Sequence, residues 1–389
     1  MGRASSPSIE TRTGVDVVPA SSGKLLDQFI RLPEHLYAGN QNWVAPLRFM
    51  EKRRLSAKHN AFYQHADVEL FVALRDGQPV GRISAQVDHE HNRHHRDQTG
   101  FFGFFECIDD IEVARALLET AEGWLRDRGM NAARGPLNFS MNGEVGMLIE
   151  GFEYPPQPLM PYSQPYYARL LEELGYGKAK DLYAWKWEPH QVPHESARRA
   201  IDKLRSRPDV VVRRARMNNF RAEVGLILDM YNDAWKDNWG FVPATEAEAD
   251  EVSSDLRLVV DPRIVPFVEI NGVPAGAAVA VPDSNWAMQP LKGSLFPIGW
   301  ARFLWRLKVR RPKSGRMLIL GIRKEYRTRE YAGLAYLLAE EVYLGAMEAG
   351  FTGAEFGWTL EDNGLVNSLI RRIGCEQYKR YRIYEKPLT

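Results

Sequence analysis

Short apolar runs alternate with polar turns along most of this chain, and the same order of runs occurs twice. The apolar run 69–74 leads into Asp76-Gly77-Gln78-Pro79-Val80-Gly81 and then a second run, 83–87. Two extended runs flanking an Asp-Gly turn predict a β-hairpin. Run 265–270, the turn Asn271-Gly272-Val273-Pro274-Ala275-Gly276 and run 277–281 repeat that frame. Next in each copy comes an apolar helical pattern, a Gly turn and a strand: 114–128, Gly129 and 131–135, then 334–348, Gly350 and 354–358. Each copy ends in a helix closing on Leu174-Gly175 or Ile373-Gly374, followed by an aromatic strand that stops at Pro189 or Pro387.

Gly276 follows Gly81 by 195 residues and Gly374 follows Gly175 by 199, a near-constant offset that predicts a duplicated α/β module. The expected organisation is a polar tail over 1–15, a first module over 16–189, a linker and helix over 190–209, and a second module over 210–389. Each module is a mixed β-sheet flanked by helices. The copies differ in their insertions. The first carries a long Gly/Pro/Asn-rich loop from Leu137 to Pro165, with Asn138, Ser140, Asn142 and Glu144 at its start, and loops of that length are usually functional or disordered. The second inserts 285–316, where Trp300, Phe303, Leu304 and Leu307 fall at helical spacing with Arg302, Arg306, Arg310 and Lys313 roughly opposite.

Composition narrows the class. With 389 residues, 44% hydrophobic and 26% charged, the chain suits two globular domains. Its 51 basic and 50 acidic residues leave none of the basic excess that nucleic-acid binding requires. Two cysteines, Cys107 and Cys375, form neither a disulfide framework nor a zinc spacing and suit a reducing cytoplasm. No run of about 18 apolar residues spans a bilayer, and the start lacks a signal-peptide core. Met1-Gly2 with Ser6 fits the myristoylation pattern, which a Ser-rich tail matches by chance.

Candidate chemistry concentrates in the second copy. The strand pattern 316–322 runs through the basic turn Arg323-Lys324-Glu325-Tyr326-Arg327-Thr328-Arg329 into a helix at Gly333-Leu334-Ala335. Free N–H groups and the positive dipole end there suit a phosphate, with Arg327 or Arg329 adding charge; the alternative is a plain connection with solvated arginines. In the first copy Asp109-Asp110-Ile111-Glu112 occupies the equivalent place and would repel phosphate.

The order strand, Tyr-Arg-x-x-x-x-x-Gly-Leu-Ala helix, strand, then Asn363-x-x-Val366-x-x-Leu369 and Gly374 resembles the GCN5-related N-acetyltransferase (GNAT) superfamily over 210–389, and in degenerate form over 65–188. The resemblance implies two tandem GNAT-like domains that use an acyl-CoA, its pyrophosphate cradled at a Gln/Arg-x-x-Gly-x-Gly/Ala turn. Gly333 and Ala335 match the last two fixed positions. Glu330 stands where the family has Gln or Arg, and Ile370 stands where a general-acid tyrosine is frequent. Trp235 to Pro243, Pro282 to Asn285 and Gly357 to Asn363 are further similar to a bacterial tandem family of ceramide synthases, which acylate a sphingoid amine. That implies an N-acyltransferase that moves an acyl group from coenzyme A to a primary amine; the cysteine usage and the basic insert 295–316 lead to the expectation of a cytoplasmic protein, peripheral at the inner face of the membrane. An aminoacyl-tRNA-dependent transferase and a catalytically dead lipid- or nucleotide-binding module remain alternatives.

Amine acylation needs a base and donors for the carbonyl oxygen. Glu361 and Asp362 end the strand 356–359, where they are expected to raise one another's pKa and supply a base; Asp362 equally suits a helix cap. By the resemblance, the backbone at Leu320, Gly321 and Ile322 offers the oxyanion donors, and Leu334 and Asn363 join the coenzyme A site; Tyr378 and Tyr381 are candidate acids or core residues of an aromatic strand. Asn238, Trp239 and Phe241 wall the acceptor pocket or simply pack, and Asn285, Asn138, Ser140 and Asn142 join the substrate list. His89, His91, His94 and His95 with Asp88 and Glu90 read as a polar connector before a metal site, and no metal is expected. Insert 295–316 carries seven Arg/Lys and no acid, suiting an anionic membrane surface or a helix packed on the sheet with a solvated basic face.

Overall fold

The computed structural model describes residues 14–189 and 193–388. Residues 1–13, with the Met1-Gly2 motif and most of the expected tail, and 190–192 of the expected linker lie outside the described residues. The two predicted hairpins form with matched turns: Asp76 and Asn271 take φ of 51° and 52°, and Gly77 and Gly272 take 73° and 80°. Both central turn residues are left-handed, as a two-residue hairpin turn demands, which is why Asp or Asn precedes Gly in each.

A 13-stranded sheet runs through the whole chain. In the first half the order is Val15–Pro19, Ala66–Arg75, Gln78–Asp88, Thr99–Cys107 and Ala132–Gly135; in the second it mirrors outward through Gly353–Leu360, Ser314–Ile322, Val273–Pro282, Pro266–Ile270 and Val210–Arg214. Helices flank it, as the mixed α/β expectation required.

The centre of the sheet holds an exchange. The closing strand of the second half, Glu376–Pro387, pairs with Ala132–Gly135 of the first half, whereas the first half's closing strand, Gly177–Trp187, pairs with Gly353–Leu360 of the second. The two exchanged strands then pair with each other, antiparallel. Packing follows the exchange: Tyr384 is buried in the first-half core, and Trp185 and Trp187 are buried in the second-half core. A third core, with Leu137, Met141, Leu182, Leu360 and Tyr381, lies between the halves.

In both halves a parallel strand pair opens part-way. Thr99–Cys107 pairs with Ala132–Gly135 only from Thr99 to Phe101, and Ser314–Ile322 pairs with Gly353–Leu360 only from Ser314 to Met317. Beyond Met317 the strand Ser314–Ile322 runs on without a partner among the described residues on that side, an opening toward the carboxyl ends, where open α/β sheets receive ligands, while in the corresponding place of the first half Leu137 packs against Gly103.

Insert 285–316 is helical without a break from Gly299 through Arg310, as the spacing of Trp300 to Leu307 predicts. It forms the short helices Ser284–Met288 and Gly299–Trp305 and a π-helical turn, Arg306–Arg310. Leu307 is buried, and Arg306 donates to the Trp286 carbonyl and stacks on its ring at 3.7 Å. Arg316 is a buried strand residue and leaves the basic face altogether. Among the described residues no helix is long and apolar enough to cross a membrane.

Candidate functional site

The opening in the second half is lined by a central strand that is only half-covered. Leu318, Ile319, Leu320 and Ile322 are all partly exposed, whereas Thr99–Cys107 of the first half is buried at every position but Glu106. Gly321 lies under helix Phe220–Trp235, where an added Cβ would meet Trp235 at 3.4 Å. Tyr231 stacks on Trp235, and its hydroxyl donates to Asn142 Oδ1 at 2.6 Å. A residue of the first half thus reaches the wall of the second half's opening.

In the first half the same opening is filled by its own chain. The ribbon of Leu137–Asn138 and Glu144–Val145 lies against Thr99–Cys107, and Gln86 Nε2 donates to the carbonyls of Leu137 and Phe139. Asn138 Oδ1 accepts the Phe104 N–H at 2.7 Å, and its amide nitrogen donates to Glu144. Gly103 is required there, since a Cβ would sit 2.0 Å from the Leu137 carbonyl oxygen. Ser140 Oγ accepts the Asn142 N–H at 3.1 Å. Asn138 and Ser140, expected to meet substrate, build this plug instead, and of the three Asn142 borders the opening.

The helix starts differ in the same sense. Asp110 caps helix Ile111–Arg126 by accepting the Glu112 N–H, and Arg75 pairs with it at 2.7 Å. Its carboxyl is held below the usual range by Arg75 and the backbone N–H groups, against the opposing effect of burial. Helix Leu334–Ala349 has no side-chain cap, and the N–H groups of Ala335 and Tyr336 find no acceptor among the described residues. Arg329 is exposed beside it. Arg327 is drawn back, donating to the Ile322 carbonyl at 2.8 Å and pairing with Asp233. Glu330 pairs with Arg207 at 2.7 Å. A Cβ at Gly333 would lie 2.8 Å from the Ala200 carbonyl, so this glycine also admits helix Glu195–Arg205.

The carboxylates at the strand end do not form the mutually destabilised pair expected of them. Glu361 Oε2 meets Lys178 at 2.6 Å and its Oε1 accepts the Asp181 N–H, turning the side chain toward the exchanged strand Gly177–Trp187. Asp362 pairs with Lys180 at 2.8 Å, and that lysine holds it below the usual carboxylate range. Asn363, not Asp362, caps helix Gly364–Arg372. Ile370 stays in the core.

Tyr378 belongs to a buried polar cluster that pattern reading missed. Its hydroxyl donates to Glu355, which also meets Arg316 at 3.3 Å and Lys379 at 3.4 Å. Burial and the Glu355 charge push the Tyr378 hydroxyl far up, and burial pushes Asp283 nearby up to about 6. Lys379, Asn285 and Arg316 donate to the carbonyls of Pro155, Pro156 and Pro158, pinning the first-half loop onto the second half. Asn285 therefore holds a loop. The signal available in the sequence was an ionisable residue at an inward strand position: Arg316, Glu355 and Lys379.

Between the halves lies a cleft of about 500 Å³ lined by His94, His95, Arg134, Asn238 and Trp239. The Trp239 ring lies 5.0 Å from Arg134 and 5.4 Å from Lys180. Phe241 is buried, its carbonyl 2.8 Å from His95. Asp88 caps helix His89–His95, and burial pushes His91 down to about 4. Among the described residues no cluster of three metal-ligating side chains occurs.

No protein-family model matches the chain. A relative named Bacterial ceramide synthase, from Caulobacter vibrioides (strain NA1000 / CB15N), is 41% identical over 386 residues, 98% of this chain and 100% of the relative. Protein YghO of Escherichia coli (strain K12) is 38% identical over 365 residues, 93% of each. Among solved structures, a tandem GNAT protein from the clavulanic acid biosynthesis pathway matches with a TM-score of 0.59 at 12% identity, over 96% of this chain and 99% of that one. A GCN5-related glucosamine N-acetyltransferase region of a fungal multi-domain protein matches at 0.56 and 12% identity, over 99% of this chain and 39% of that one. At such identities the solved structures speak for the fold, and the full-length relative speaks for kinship. The chain belongs to the family of that bacterial ceramide synthase, built on a tandem GCN5-related N-acetyltransferase fold.

Proposed function

We propose that this protein is an acyl-CoA-dependent N-acyltransferase whose acceptor is a primary amine, in the sharper form a long-chain, sphingoid-type amine. One observation carries the proposal: the central strand Ser314–Ile322 keeps a half-exposed edge at 318–320, where its first-half counterpart is covered. That edge leads to an uncapped helix start. Kinship with the bacterial ceramide synthase supports the amine and the long chain.

The residues fit an acyl-CoA in part. Free N–H groups at Ala335 and Tyr336, the helix dipole and the exposed Arg329 suit a pyrophosphate, whereas Gly333 and Glu330 are occupied by intramolecular packing and pairing. An acyl-CoA supplies a thioester carbonyl that an unprotonated amine can attack. The free strand edge at 320–322 provides backbone donors for the oxygen that gains charge. Glu361, with its side chain 22% exposed, is the proton acceptor of this proposal, working through water because Lys178 and the Asp181 N–H hold its oxygens. Tyr378 is committed to Glu355, so the departing thiolate takes its proton from solvent.

The test is amide formation from purified protein, mixed acyl-CoAs and a long-chain amine, read by mass spectrometry. Protein-dependent amides are expected; their absence with every acyl-CoA refutes the proposal. Glu361→Gln should cut turnover about a hundredfold or more with unchanged coenzyme A affinity. Unchanged turnover returns Glu361 to clamping the exchanged strand.

A further inference from the structure

The segment after Leu291 carries an apolar face that nothing in the fold covers. Phe296 is 79% exposed, Ile298 74%, Val309 67%, Trp300 54% and Trp305 49%. Soluble monomers rarely gather this many large apolar side chains in one exposed stretch, and where they do the patch usually docks on something. The face is also firmly mounted. Arg306 is stacked on Trp286, and Lys308 donates to the Leu258 carbonyl. The Arg48 N–H donates to the Gly293 carbonyl at 3.0 Å, which brings helix Arg48–Arg54 of the first half alongside. That helix adds Phe49, 66% exposed, and Met50, 45% exposed. Exposed apolar side chains are thus contributed by both halves.

Charge selects what covers it. Arg302, Arg310, Arg311 and Lys313 are exposed among these residues, and no Asp or Glu occurs between Asp283 and Glu325. Exposed tryptophans and bulky aliphatics ringed by arginine match the interface of a lipid bilayer, where rings and methyl groups enter the acyl boundary and guanidinium groups meet phosphates. A second copy of the chain would set one basic face against another across a two-fold axis.

We propose that this face docks the protein on an anionic lipid bilayer. The proposal would also explain how a long-chain amine reaches the opening, but its test reads lipid binding and not turnover, so its failure and that of the proposed reaction are distinguishable.

The full chain is sedimented with vesicles of phosphatidylcholine alone, or with about one-third phosphatidylglycerol, at low and high salt. Binding to the anionic vesicles is expected to exceed binding to the neutral ones by at least about tenfold and to fall with salt. Arg302→Glu with Arg310→Glu and Arg311→Glu should lower it by at least about tenfold. Ile298→Asp with Trp300→Ser should lower it at both salt concentrations. All these side chains are exposed, and circular dichroism checks that each variant is folded. Absence of anionic-vesicle binding by the parent overturns the proposal. So does equal binding to neutral vesicles that the charge reversals leave unchanged, or a dimer in light scattering that the same substitutions dissociate.

Discussion

The two halves of this chain share a hairpin turn, a strand order and an opening between parallel strands, yet they use the opening in opposite ways. In the first half Leu137–Asn138 and Glu144–Val145 fill it, and Asn138 takes the Phe104 N–H that would otherwise face a ligand. In the second half the strand edge at 318–320 stays half-exposed. The first-half helix is capped by Asp110, and the second-half helix start is left open. Two small changes, a polar side chain into the notch and a carboxylate at the helix start, separate the filled opening from the half-exposed one. The exchanged closing strands tie the halves together, with Lys178 and Lys180 on the first half's strand paired to Glu361 and Asp362 of the second.

The comparison breaks most strongly at Gly103. Gly103→Ala places a methyl group 2.0 Å from the Leu137 carbonyl oxygen, so the plug must shift. A loss of about 3 kcal/mol in unfolding free energy is expected by chemical denaturation. A neutral result would mean that the plug is loosely held and that the first-half opening is accessible.

A smaller change converts the second half toward the first. Ala332→Asp sets a carboxylate beside the open helix start at an exposed position, avoiding the packed Gly333. Coenzyme A affinity should fall about tenfold, or about 1.4 kcal/mol, in calorimetry. Asp110→Asn should leave that affinity unchanged. The opposite pattern would reverse the assignment of the halves.

The smallest effect concerns the seam. His65 hydrogen-bonds Asp88 of its own half at 3.1 Å and lies 3.4 Å from Glu248 of the other, and the two carboxylates, Asp88 first, raise its pKa from 6.5 to about 9. A raised folded-state pKa stabilises fully below pH 6.5, and the contribution fades as pH climbs through about 9. His65→Gln should therefore cost about 1 kcal/mol at pH 6, with the parent and variant melting curves converging by about pH 10. A difference that does not change with pH would remove the charged seam.

Much of this arrangement is legible in the sequence. The paired Asp-Gly and Asn-Gly turns and the helix leading to Gly350 form as the pattern implies, because local turn chemistry determines them. The strand exchange is not legible, since both closing strands alternate alike and the choice of neighbour is made by tertiary packing. Nor is the partner of a glycine: Gly333 matches a phosphate-turn position yet packs on Ala200. The lysines that engage Glu361 and Asp362 lie some 180 residues earlier in the chain, beyond the reach of spacing arguments.

The proposal of one coenzyme A site per chain is tested most directly by the stoichiometry of coenzyme A binding in isothermal titration calorimetry. One equivalent bound per chain, weakened by Ala332→Asp and untouched by Asp110→Asn, is the predicted result. Two equivalents, or binding that survives Ala332→Asp and disappears with Asp110→Asn, would contradict it.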